Sequence, residues 1–224
     1  MKHSVFVTAL IVLVLGCGAV WAADPAATTY NWTGFYAGLN TGVAKNNSRY
    51  SVVSNEHGFP FSGSFDNPAF TVGGQAGYNY QVGNFVYGLE TDINYEGPSP
   101  QLDYFGTLRG RLGYTPADRL LFYVTGGLAY GYVSSTTTIH YEDFAIFSGS
   151  SSGMQVGWTV GVGGEFALTN NWSVKLEYLY VDLGSMSYSF YPGAVGAPAP
   201  TFSNITTTIN TLQNVIRVGL NYKF

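Results

Sequence analysis

The chain has 224 residues, of which 46 % are apolar, 17 % aromatic and only 10 % charged, and its formal net charge is −4. Ordinary soluble domains carry about 25 % charged residues, and a nucleic-acid partner would call for a basic stripe that this balance excludes. Beyond the first two dozen residues no unbroken apolar run is long enough for a membrane helix, so helical spans are excluded too.

The chain opens as a secretory leader does. Lys2 and His3 precede an apolar run from Val5 to Leu15, then Gly16, Cys17 and GAVWAAD, with Val20-Trp21-Ala22 fitting a cleavage site. Residues 1–22 are predicted to be removed, leaving 23–33 as a periplasmic N-terminal segment and 34–224 as a barrel. VLGC loosely resembles a lipidation signal, but Leu15 is a poor residue before the glycine and the downstream site is better. Cys17 is the only cysteine, so the mature chain would have no disulfide and no thiolate metal site.

From Gly34 onward, eight segments alternate with period two, the mark of a strand with two unlike faces. They are 34–44, 69–80, 85–95, 103–114, 120–133, 154–168, 172–181 and the terminal VIRVGLNYKF. The third places Phe85, Tyr87, Leu89, Ile93 and Tyr95 against Gly88, Glu90, Asp92 and Asn94. The sixth sets Met154, Val156, Trp158, Val160, Val162 and Phe166 against Gln155, Gly157, Thr159, Gly161, Gly163 and Glu165. VGN after the second segment, TPAD at 115–118 and TNN at 169–171 read as tight turns. The links 45–68, 96–102, 134–153 and 182–211 read as loops, three of them long and rich in Ser, Thr, Asn, Gly or Pro. Short and longer links alternate, as in an up-and-down meander. Several structureless loops of about 20 residues would be odd in a soluble domain, whereas a transmembrane barrel has short turns on one side and longer loops on the other.

Aromatic residues crowd both ends of the apolar face: Phe35, Tyr78, Phe85, Tyr114, Trp172 and Tyr222 toward the short turns, Phe70, Tyr95, Tyr104, Tyr132, Trp158 and Tyr180 toward the loops. Leu39, Val72, Leu89, Leu108, Val124, Val160, Leu176 and Val218 lie between. Two aromatic belts around an aliphatic band are what two membrane–water interfaces select, so the apolar face is expected to point outward into lipid. The opposite face is Gly-rich with balanced charge: Glu90, Asp92, Asp103, Glu165 and Glu177 share it with Arg109, Arg111, Lys175, Arg217 and Lys223. An eight-stranded barrel is just wide enough inside for side chains to fill. These charges are expected to pair across the lumen, with Glu90 and Asp92 meeting Arg109 and Arg111.

The stretch NWTGFYAGLNTG, carrying Trp32, Thr33, Gly34, Phe35, Tyr36 and Gly38, and the ending VIRVGLNYKF closely resemble an alphaproteobacterial outer-membrane β-barrel family of surface antigens and hemin-binding proteins. The likeness extends through YGLETDINY, TLRGRLGY, LLFYVTGGLAYG and NWSVKLEYLYVDLG. The architecture is also similar to the OmpA-type transmembrane domain, and a peptidoglycan-binding domain after Phe224 is not expected. The alternating Val218, Leu220, Tyr222 and Phe224 resemble the C-terminal signal read by barrel-assembly machinery. The resemblance implies a surface-exposed envelope protein, with hemin or host-surface binding in some relatives, but no hemin motif matches residue by residue.

Other motifs carry less. GVGGEF at 161–166 lies inside an alternating strand without the helix a phosphate loop needs. Four glycosylation sequons, at Asn31, Asn46, Asn171 and Asn204, read as chance in an Asn/Thr-rich chain. His57 and His140, with Tyr188 or Tyr191, offer the ligand types that heme iron takes, but ordinary solvated loop residues are the reading their frequency favours. No spacing singles out a nucleophile beside either histidine, so no catalytic residue, metal site or cofactor is assigned. The fold class expected is all-β, an eight-stranded antiparallel up-and-down transmembrane β-barrel in the outer membrane of a Gram-negative bacterium, loops outside and both termini periplasmic. The function expected is a structural and interaction role at the envelope, with a plugged lumen and four displayed loops. A small passive channel and a hemin- or ligand-binding surface barrel are the alternatives. Outer-membrane lipid and lipopolysaccharide, the assembly machinery, and a host surface or hemin at the loops are the partners expected.

Overall fold

A computed structural model of the chain describes residues 30–54, 61–97, 102–141, 145–190 and 205–224. The leader, and the 23–33 segment up to residue 29, lie outside them. Eight strands run in chain order: β1 (Gly34–Ser54), β2 (Phe61–Val82), β3 (Phe85–Glu96), β4 (Leu102–Ala117), β5 (Leu120–Tyr141), β6 (Ala145–Ala167), β7 (Trp172–Phe190) and β8 (Ile205–Lys223). Each pairs antiparallel with the next, and β8 returns to β1, with Tyr36 opposite Lys223 and Leu39 opposite Leu220. The sheet is a closed barrel. Closure satisfies the backbone of the first and last strands within the wall, as hydrocarbon requires.

The alternation seen in the sequence becomes two faces. Leu39, Leu89, Val160 and Phe224 are among many large apolar residues exposed on the outside, Leu39 at 73 %. The belts form by cross-strand ring contacts: Phe35 with Tyr78, Phe85 with Tyr114 and Trp172 with Tyr222 toward the short turns, Tyr104 with Tyr132 and Trp158 with Tyr180 toward the other end. The Phe85–Tyr95 stretch of tilted strand matches an apolar band about 25 Å tall.

The long links differ from the loops expected. Most of 45–68, 134–153 and 182–211 continues as paired strand, with Val52 opposite Phe61, Thr136 opposite Ser150 and Tyr188 opposite Thr207. Ladder hydrogen bonds come from the backbone and need no apolar face. A search for apolar alternation therefore stops where the side chains turn polar, although the pairing goes on. The β2–β3 turn is two residues long, with Gly83 at φ 59°, the left-handed conformation such hairpins favour.

Candidate functional site: a charged layer inside the barrel

The inward positions are arranged by size across the ladders. Arg109 stands opposite Gly127, Arg111 opposite Gly88, Lys175 opposite Gly219 and Arg217 opposite Gly42. A long cation thus lies over a residue with no side chain, which is how a narrow lumen accommodates four of them.

These cations converge on carboxylates from other strands. Arg109 donates from Nη2 to Glu90 and, at 2.9 Å, to Asp92 Oδ2, and from Nη1 to Glu177 Oε1 at 3.0 Å. Arg217 Nη2 lies 2.9 Å from the same Asp92 oxygen and 2.6 Å from Glu177 Oε2. Lys175 Nζ bridges both oxygens of Glu90, at 2.8 and 2.9 Å. Arg111 binds Glu165, whose Oε1 also accepts from Ser173 Oγ at 2.5 Å and Asn221 Nδ2 at 2.9 Å. All eight groups are buried. Four acids and four bases make this layer formally neutral. Burying ions costs several kcal/mol each unless partners are held in good geometry, and here each carboxylate meets at least one cation.

Two tyrosines complete the layer. Tyr36 donates to Glu90 Oε2 at 2.7 Å and Tyr123 to Glu177 Oε1 at 3.0 Å. Their rings flank the Arg111 guanidinium, at 5.8 and 3.8 Å from the centroids, a cation–π arrangement that favours a desolvated arginine.

Apolar residues lie on both sides of the charges. Toward the short turns, Tyr30, Trp32, Val86, Leu121, Tyr123 and Ala167 form one buried cluster. Toward the long hairpins, Ala44, Leu102, Phe105, Ala129, Val133, Leu179, Val181, Leu183 and Val215 form another. Beside the second cluster, Gln213 Nε2 donates to Asn46 Oδ1 at 2.6 Å and to Glu96 Oε1 at 2.5 Å. Sequence reasoning describes the inner face as Gly-rich with balanced charge and singles out neither cluster. The signal was present: Val86, Phe105, Leu179, Val181 and Val215 share the period-two phase of the inner charges on their own strands.

The structure brings Glu90, Asp92, Arg109, Arg111, Glu165, Lys175, Glu177 and Arg217 into one connected set. Asp103 and Lys223, expected on the same face, do not join it. A register shift between Leu102 and Tyr104 turns Leu102 inward and leaves Asp103 exposed. Lys223 lies at the short-turn mouth, where its Nζ sits 4.2 Å from the Tyr30 ring centroid and donates to the Asn31 carbonyl. Burial there, with the nearby Glu165 charge, pushes the Tyr30 phenol up to about 12. Trp32 and Tyr36 point inward, Phe35 outward, and Gly34 and Gly38 pack against β8. Val218, Leu220, Tyr222 and Phe224 all face outward. His57, Tyr191 and the side chains of His140 and Tyr188 lie outside the described residues.

A closed antiparallel barrel of eight strands, apolar outside and charged within, is a transmembrane barrel of the outer-membrane class. Comparison with known proteins carries this one step further. A profile of the outer membrane protein beta-barrel domain matches residues 10–224, and the chain belongs to that family. A 31 kDa outer-membrane immunogenic protein of Brucella melitensis is 39 % identical over 216 residues, covering 88 % of this chain and 85 % of the relative. A 22 kDa outer membrane protein of Rhizobium leguminosarum is 31 % identical over 207 residues, covering 89 % and 82 %. Among solved structures, Neisserial surface protein A aligns at TM-score 0.45 and 15 % identity, over 86 % of this chain and 98 % of its own.

Proposed function

We propose that this protein is a closed outer-membrane barrel whose lumen is filled by its own side chains, with a structural and interaction role at the cell envelope rather than a transport or catalytic one. The observation that carries the reading is the neutral charged layer lying between two buried apolar clusters. A solute would have to part both clusters and separate ion pairs in a low-dielectric interior. The immunogenic relatives fit a barrel displayed at the surface. In this reading the long-hairpin end faces outward and presents four connections to a host surface or ligand. The short turns and both termini are periplasmic. The outer band meets lipid and lipopolysaccharide, and the β8 strand is read by the assembly machinery.

The deciding experiment is planar-bilayer recording of the purified, refolded monomer, with folding checked by heat-modifiable gel mobility. No steady current is expected, and a steady ohmic conductance sinks the reading. In that event the passive-channel alternative predicts that Arg109→Ala or Glu90→Ala alters ion selectivity. Orientation is tested with Asp103→Cys and Asn170→Cys in intact cells. An impermeant maleimide should label the first and spare the second; the reverse pattern would invert the barrel.

A further inference from the structure

Three tryptophans lie among the described residues, and they divide into two kinds. Trp158 and Trp172 belong to the outer belts and are exposed. Trp32 precedes the first strand, yet it is only 2 % exposed and packs edge-on against Tyr30, ring centroids 4.7 Å apart. Its cluster draws Val86 from β3, and from the far wall Leu121 and Tyr123 of β5 and Ala167 of β6, which lie across the lumen from β1. Its backbone N–H donates to Gln81 Oε1 of β2 at 2.8 Å, while Thr33 Oγ1 accepts from the Gln81 N–H at 3.0 Å. On the other flank Lys223 of β8 holds the Asn31 carbonyl and sits over the Tyr30 ring. Four residues thus touch or share a cluster with five strands across the short-turn mouth.

The seat for Trp32 exists only in a closed barrel. In an open sheet β1 and β5–β6 are separated by three intervening strands and curve apart. They face each other only when β1 has met β8 and the wall is round. We infer that residues 30–33 are a plug that seats after barrel closure and walls the charged layer off from the short-turn side. The inference rests on the closed-lumen reading and assigns the closure of that end to one segment. Tyr123 links the two: its ring belongs to the Trp32 cluster, lies against Arg111, and its hydroxyl reaches Glu177. Loss of the plug therefore exposes the side of the layer where Arg111 and Glu165 pair.

The test uses the full chain carrying Trp21→Phe, Trp158→Phe and Trp172→Phe, refolded into vesicles so that Trp32 is the sole indole. A matching chain keeps only Trp172. Acrylamide probes from water and a brominated phosphatidylcholine from lipid. Trp32 should be quenched about tenfold less by acrylamide than in the urea-unfolded chain, as expected of a group reached only by local opening. It should also be spared by the brominated lipid that quenches Trp172. Quenching of Trp32 by acrylamide to the unfolded level, or by the lipid to the Trp172 level, overturns the plug. Ala167→Phe places a second ring in the seat and should raise acrylamide access to Trp32 while the folded gel mobility persists; unchanged access in the folded variant also overturns it. During refolding, protection of Trp32 should appear with or after the folded gel band, and protection that precedes the band refutes the order of events. Bilayer recordings on the same samples separate the two claims. A protected Trp32 with steady current overturns the closed lumen and with it the walling-off by residues 30–33, and an accessible Trp32 without current removes the plug alone.

Discussion

Arg109 of β4 and Glu177 of β7 meet across the lumen, Nη1 3.0 Å from Oε1, though 68 residues separate them in the chain. Glu177 also takes Arg217 and the Tyr123 hydroxyl, so one carboxylate ties β4, β5, β7 and β8 together. The contact is non-local in every sense and records the roundness of the barrel.

Removing one partner strands the others in a dry interior. Arg109→Met should destabilise the barrel by about 3–5 kcal/mol, the range for breaking a buried pair, measured by urea unfolding from vesicles. Pairing it with Glu177→Gln should cost less than the sum of the two changes. Strict additivity would show that the side chains are not coupled.

Glycine at 163 has a steric role. A Cβ there would fall on the Tyr123 ring and push it from Arg111. Gly163→Ala is expected to destabilise by about 1–3 kcal/mol, the usual cost of overpacking. Ala in the outward Gly164, whose Cβ would come no closer than 3.4 Å to its neighbours, should be milder. Equal effects would argue against a ring seated on Gly163.

The outer face can be tested with a single charge. Leu89 is 64 % exposed near the middle of the apolar band. Leu89→Arg should cost about 2–4 kcal/mol in a bilayer, as expected for arginine at the midplane. A neutral result in vesicle unfolding would place that face in water.

Tyr30 gives a pH dependence. Its phenol is raised from 10.0 to about 12, chiefly by burial. The neutral form is the one the seat favours. Its contribution is therefore complete below pH 10 and fades as pH rises toward 12, where the unseated segment ionises more easily. Ultraviolet difference titration should show a phenol that ionises late, and Tyr30→Phe should remove that step. A full set of ordinary titrations near pH 10 would contradict it.

At the seam, Phe224 donates its backbone N–H to the Phe35 carbonyl at 3.0 Å, and its ring lies 5.3 Å from that of Tyr222. Deleting Phe224 should lower the amount of folded barrel in the outer membrane, read by heat-modifiable mobility. Normal levels would refute an assembly role for the terminal strand.

How much of this was legible in the residues varies from layer to layer. Strand alternation located all eight strands and both belts, because the outward phase of Leu39, Leu89 or Val160 follows from backbone geometry alone. It did not reveal the far ends of the long hairpins, since Thr136 and Ser150 pair through their main chains without an apolar pattern. Nor did it place Asp103, which shares the inner phase until a register shift beside Leu102 turns it out.

The sequence by itself determined that the chain is an outward-apolar barrel with charge inside, because a period of two is a local property of extended backbone. The pairing of Glu90 and Asp92 with Arg109 on the next strand was already legible; only the tertiary structure decided that Glu165 takes Arg111 and that Glu177 takes Arg109 and Arg217, that two apolar clusters bracket them, and that Trp32 belongs to the lumen. Those relations depend on the stagger with which eight strands close, and stagger is settled by hydrogen bonding between β1 and β8, at opposite ends of the barrel sequence. A side chain's phase can be counted along the chain; its partner across a lumen exists only once the wall is round.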